Sequence, residues 1–129
     1  MDVEEFYKNC DWKNFEKLVC DILELHNYTS FHNVNLTINH ERRQFDVLGM
    51  KNNTCLAIDC KKWDNKKSRS AKLKEAVLTQ KNRCKILKSL LGKKVLPLIV
   101  TFSEDSIIEY EGVNIVPLRA LNDYILNLF

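Results

Sequence analysis

The chain has 129 residues, 45% of them hydrophobic and 29% charged, with a net charge of +3. That size and balance fit one globular domain, residues 1–129, able to bury a core without cross-links. The longest apolar runs, such as VLPLIV, are far too short to span a bilayer, and the acidic start MDVEEFYKNC lacks a signal-peptide core. The sequence therefore reads as a cytoplasmic protein with no membrane segment.

The five cysteines, Cys10, Cys20, Cys55, Cys60 and Cys84, are odd in number and lack C-x-x-C spacing. Free, buried thiols in a reducing compartment fit better than a disulfide framework. His26, His32 and His40 have no zinc-site spacing. The charge is unevenly placed. From Lys61 to Lys94 there are thirteen basic and two acidic residues, against seven basic and fifteen acidic elsewhere. Such a segment is either a surface facing a polyanion or a solvated lysine-rich helix.

In chain order, DVEEFYKN could form a short opening helix. From Asp11 or Trp12 to about Asn27, Phe15, Leu18, Val19, Ile22 and Leu25 recur at helical spacing, with Asp11 as the expected N-cap. FHNVNLTINH alternates and reads as a strand; QFDVLGM and TCLAIDCKK are two more, joined by a turn at Asn52-Asn53. After the polar DNKKSRS, a long helix runs from about Ser70 to Leu91, with Gly92 as its stop. KVLPLIVTF and GVNIVPL are strands, and LRALNDYILNLF closes as an amphipathic helix. This order predicts an α/β fold, a mixed central sheet flanked by helices on both faces.

A two-residue turn at Asn52-Asn53 pairs Lys51 with Thr54 and places Asp46 opposite Asp59. Period-two alternation then gives one face of Phe45, Val47, Leu56, Ile58 and Cys60. The other carries Asp46, Asp59 and Lys61 at the open end of the hairpin. Two like charges directly opposed on a sheet are destabilising, and a divalent cation would explain the pair. Two further polar residues lie on apolar helix stripes. Glu16 is either a rim residue paired with a cation or part of the site. Gln80 either bonds nearby backbone or orients a site water or phosphate.

An inward Glu on a helix, a strand with a lone Asp, a strand with Asp-x-Lys and a basic helix with a Gln together resemble the PD-(D/E)XK restriction endonuclease-like nucleases. The closest pattern is that of Mrr-type restriction enzymes and archaeal Holliday-junction resolvases. The resemblance runs from about residue 12 to the C-terminal helix and implies an αβββαβ core. It implies a Mg2+-dependent endonuclease hydrolysing DNA phosphodiester bonds, with Mn2+ as a substitute. Asp46 and Asp59 take the places of the metal-binding acids, joined by the Cys60 carbonyl and Glu16. Lys61 takes that of the catalytic lysine, and Gln80 that of the glutamine of Mrr-like members. The second acid is Asp rather than the more frequent Glu. Lys62, Lys66, Lys67, Arg69, Lys72 and Lys81 become phosphate contacts, and Trp63 either stacks on a base or packs. Recognition is then of DNA structure or comes from a partner protein. Family members often pair as homodimers, and the C-terminal helix either serves that role or covers the sheet. The alternatives are a DNA-binding or assembly subunit with an idle site, and an RNA-directed nuclease.

Overall fold

A computed structural model describes residues 14–61, 69–102 and 108–128. The proposed opening helix, Cys10, Asp11 and Trp12 lie outside the described residues, as do Lys62, Trp63, Lys66 and Lys67. The helix α1 (Phe15–Leu25) buries Phe15, Leu18, Val19, Cys20, Ile22 and Leu23. Eleven residues form a marginal helix in isolation, so the buried stripe holds it, at about 1.5–3 kcal/mol per large apolar side chain. It ends where Asn27 takes a left-handed φ of 66° and the Tyr28 N–H bonds back to the Leu23 carbonyl.

Strands β1 (Thr29–Ile38), β2 (Glu41–Lys51) and β3 (Thr54–Lys61) follow as an antiparallel meander. Helix α2 (Arg69–Leu91) crosses over to β4 (Lys94–Thr101), which lies parallel to β3. Gly92, at φ 65°, terminates α2 with its N–H on the Lys88 carbonyl. A short strand β5 (Ile108–Tyr110), which the sequence reading did not anticipate, pairs with β6 (Val113–Pro117), and α3 (Leu118–Leu126) follows. The sheet order is β1-β2-β3-β4-β6-β5. Helices α1 and α3 cover one face, over Val47, Leu56, Ile58, Leu98 and Val116. Helix α2 covers the other, with Cys84 and Leu87 on Phe45, Leu48 and Ala57, and Val77 near Ile99 and Ile115. Gly49 lets α1 approach closely, since a Cβ there would meet Leu23 at 3.0 Å. The αβββαβ order is the one expected. No helix among the described residues is long and apolar enough to cross a membrane. The thiols of Cys20, Cys55, Cys60 and Cys84 are free and buried, as expected.

The β2–β3 register is also the one expected: Val47 faces Ile58, Leu48 faces Ala57 and Lys51 faces Thr54, around an Asn52 at φ 54°. One expectation fails. Phe45 does not share a face with Val47; it joins Leu48 beneath α2, while Val47 lies beneath α1. The partner strand does the same. His32, opposite Val47, bonds α1, whereas Val34, opposite Phe45, packs on the α2 side. Between these rungs, Asn33 has a φ of 54°, and neither Asn33 nor Asp46 takes part in a ladder pair. The β1–β2 ribbon thus turns over at Asn33 and Asp46 while its one-to-one register continues on either side.

This turn-over depends on a residue that tolerates the left-handed region. Asn33→Val is expected to cost roughly 2 kcal/mol in urea unfolding, whereas Asn33→Gly costs under about 0.5 kcal/mol. Equal stability of the two variants would contradict this account of the ribbon.

Candidate active site

Leaving both ladders frees the Asp46 side chain. Its Oδ2 accepts the Cys60 backbone N–H at 2.8 Å, where a strand carbonyl would otherwise stand. Asp46 also lies close enough to Asp59 to help raise its pKa. The β2–β3 ladder stops one rung short of these acids, at Val47 and Ile58. Their meeting therefore rests on side chains rather than on a flat strand pair.

Asp59 is 6% exposed. Burial, and then the nearby Asp46, raise its pKa from an ordinary 3.8 to about 7; the charge of Lys61 and, less strongly, that of Arg83 pull it down. The Lys61 ammonium sits 3.4 Å from Asp59 Oδ2 and is about one-third exposed. Two carboxyls this close repel each other unless one keeps a proton. A cation can take that proton's place, and Mg2+ is commonly held by one or two carboxylates with water and phosphate oxygens completing its shell. The donor set of Asp46 and Asp59 fits that demand. No group of three or more His, Cys, Asp or Glu is assembled among the described residues.

Asp59 and Lys61 open onto a cleft of about 320 Å³, bounded on the α2 side by Lys72, Glu75, Ala76, Thr79 and Arg83. Beside Lys61 in the parallel ladder, Thr101 buries a hydroxyl that has no hydrogen-bond partner among the described residues.

The other expected site residues are placed as follows. Glu16 lies on the rim of α1, with His32 Nε2 at 2.6 Å, and does not line the cleft. Gln80 is 2% exposed, and its Nε2 donates to the Ala57 carbonyl at 2.7 Å. A longer contact reaches the Leu98 carbonyl at 3.4 Å. Pro97, opposite Ala57, brings no N–H to this stretch of ladder, and the Gln80 amide supplies a donor there. Lys72 reaches the cleft, whereas Lys81 is on another flank of α2, 3.7 Å from Glu111. Arg69 begins α2.

Arg83 and Thr79 went unnoticed in the sequence. Their signal was available, because they follow Lys72 and Ala76 at helical spacing beside the Gln80 stripe. His32 was also missed, since its link to Glu16 depends on the turned-over ribbon.

Comparison with known proteins gives a consistent picture. A family model described as a restriction endonuclease, the Mrr catalytic domain, matches residues 7–89. An uncharacterised protein of Archaeoglobus fulgidus is 27% identical over 117 residues, covering 91% of each chain. The crystal structure of a protein of unknown function, AF1548, superposes with a TM-score of 0.57 at 17% identity. It covers 80% of this chain, which spans 57% of that structure, and the likeness is one of fold.

Two outcomes follow from the buried acids and amide. In metal-free protein, Asp59 has a folded pKa above its unfolded value. Its contribution is therefore intact below about pH 4 and is lost as pH rises through about 7. The loss has an upper bound of roughly 4 kcal/mol. Thermal melts without metal should show Asp59→Asn more stable than the native chain at pH 8, with that margin vanishing near pH 4. An unchanged margin across this range would contradict the burial account. Gln80→Leu should cost about 1–3 kcal/mol in urea unfolding, by stranding buried carbonyls. A neutral result would show that they need no donor.

Proposed function

Since the chain belongs to the restriction endonuclease family, we propose that it is a Mg2+-dependent endonuclease hydrolysing DNA phosphodiester bonds, with Mn2+ as an effective substitute. The observation that carries this reading is buried Asp59, raised in pKa by that burial and by nearby Asp46 and 3.4 Å from Lys61, where Asp59 and Lys61 open onto a cleft that Lys72 and Arg83 also line.

In this reading Asp46 and Asp59 hold the cation, with the Cys60 carbonyl as a neighbouring oxygen donor. A bound Mg2+ would polarise the phosphoryl group and acidify an attacking water. The Cys60 N–H fixes the Asp46 carboxylate, so one ligand is positioned before any cation arrives. Lys61, 3.4 Å from Asp59, would stabilise negative charge building on the phosphoryl oxygens. Lys72 draws a phosphodiester into the cleft, and Gln80 holds the β3–β4 floor from below. Glu16, paired with His32, would join the cation through water or by exchanging its partner. In this reading the substrate is branched or otherwise distorted DNA, or DNA to which a partner protein directs the site. A homodimer would supply the second cut.

The test is incubation of the purified protein with plasmid, flap and four-way-junction DNA in Mg2+ or Mn2+. Cut products should appear with either metal and vanish with chelator. Asp59→Ala and Lys61→Ala should each lower the rate by about 10²-fold or more. Salt-sensitive DNA binding that survives Asp46→Ala and Asp59→Ala, with no cleavage on any substrate, would favour an idle site. Preferential cleavage of matched RNA would move the substrate class.

A further inference from the structure

Helix α2 carries positive charge on two separate flanks. Lys72 and Arg83 face the cleft that holds Asp59 and Lys61. Lys81, Lys85 and Lys88 rim a second groove, about 350 Å³, whose floor includes Val95 and Pro97 of β4. At 3.6 residues per turn, Lys81, Lys85 and Lys88 are successive on one line, about 180° around the helix from Lys72 and Arg83. The outward surface between them presents Ala71, Glu75, Leu78, Asn82 and Ser89, all exposed, with one charge among the five.

The second flank is not accounted for by internal pairing. Lys81 has Glu111 at 3.7 Å, with both side chains about half exposed. Lys85 and Lys88 form no ion pair among the described residues. Three lysines in a row on one edge of a groove repel one another, and a polyanion's phosphates relieve that repulsion. A helix with its side chains is about 10–12 Å across, and the major groove of B-DNA is about 12 Å wide. The two basic flanks are therefore spaced like the two backbones that border one groove.

We infer that Lys81, Lys85 and Lys88 form a second phosphate track, which holds the uncut strand of a duplex while the cleft holds the strand to be cut. This rests on the nuclease reading and adds to it a duplex substrate, gripped across one groove with α2 between the strands. The outward ridge, with Glu75 as its one charge, enters the groove, and the flanking cations reach the backbone on either side. Such contacts position the DNA without reading its sequence.

The experiment measures binding of the full chain, in chelator so that nothing is cut, to a fluorescent duplex of about 30 base pairs and to one of its single strands. Salt is titrated for native protein and for a Lys81→Gln, Lys85→Gln, Lys88→Gln triple variant whose fold is checked by circular dichroism. For the duplex, the slope of log affinity against log salt should become shallower by about two to three in the variant. For the single strand, the slope should stay the same. An unchanged duplex slope, beside clear native binding, overturns the second track and leaves the nuclease reading standing. An equal loss on both substrates also overturns it, because the lysines would then serve the first strand. Absence of native binding to either DNA, together with absence of cleavage in metal, overturns the nuclease reading itself.

Discussion

The site depends on a single backbone event, the departure of Asp46 from both of its ladders. A flat β2 would have placed its strand carbonyls opposite Cys60 and left the two acids as repelling cross-strand neighbours. Instead the ribbon turns over at Asn33, and the Asp46 carboxylate accepts the Cys60 N–H in place of a main-chain oxygen. That hydrogen bond satisfies a backbone donor and aims an acid at Asp59 in one stroke. It also lets Phe45 roll beneath α2, where it packs with Cys84 and Leu87. The core on the α2 side and the carboxyl pair are thus consequences of one distortion.

The distortion creates an environment that is costly to ionise. Asp59 is buried and close to a second acid, with Lys61 as its nearest counter-charge. A site arranged this way favours a proton or a cation over an empty, fully charged state. Stability is given up at the place where chemistry is expected, which is a common pattern for functional sites. Helix α2 then borders the acids with Lys72 and Arg83 on one flank, and its Gln80 ties β3 to β4 beneath them.

Much of this was legible in the residues because the hairpin is short. Asn52 accepts a positive φ, and a two-residue turn fixes the register as far as Val47 and Ile58, one rung from Asp46 and Asp59. The helices were legible from their apolar spacing, and the stop at Gly92 from its lack of a Cβ. Phe45 was misassigned because period-two alternation assumes an unbroken strand. Nothing in a pattern of apolar residues marks Asn33 as the break, since asparagine is equally ordinary in a solvated edge strand. Strand β5 was missed because three residues carry too little periodicity to stand out. Glu16 was ambiguous for a related reason. Its partner, His32, comes within reach only through the folded path of β1.

The most direct measurement of the central claim is a carbon-13 NMR titration of the Asp59 carboxyl, with and without Mg2+. The account predicts a pKa near 7 in metal-free protein, falling by more than a unit when Mg2+ is added, and this fall should disappear in Asp46→Ala. An Asp59 that titrates in the ordinary carboxylate range, indifferent to both Mg2+ and Asp46, would contradict the account.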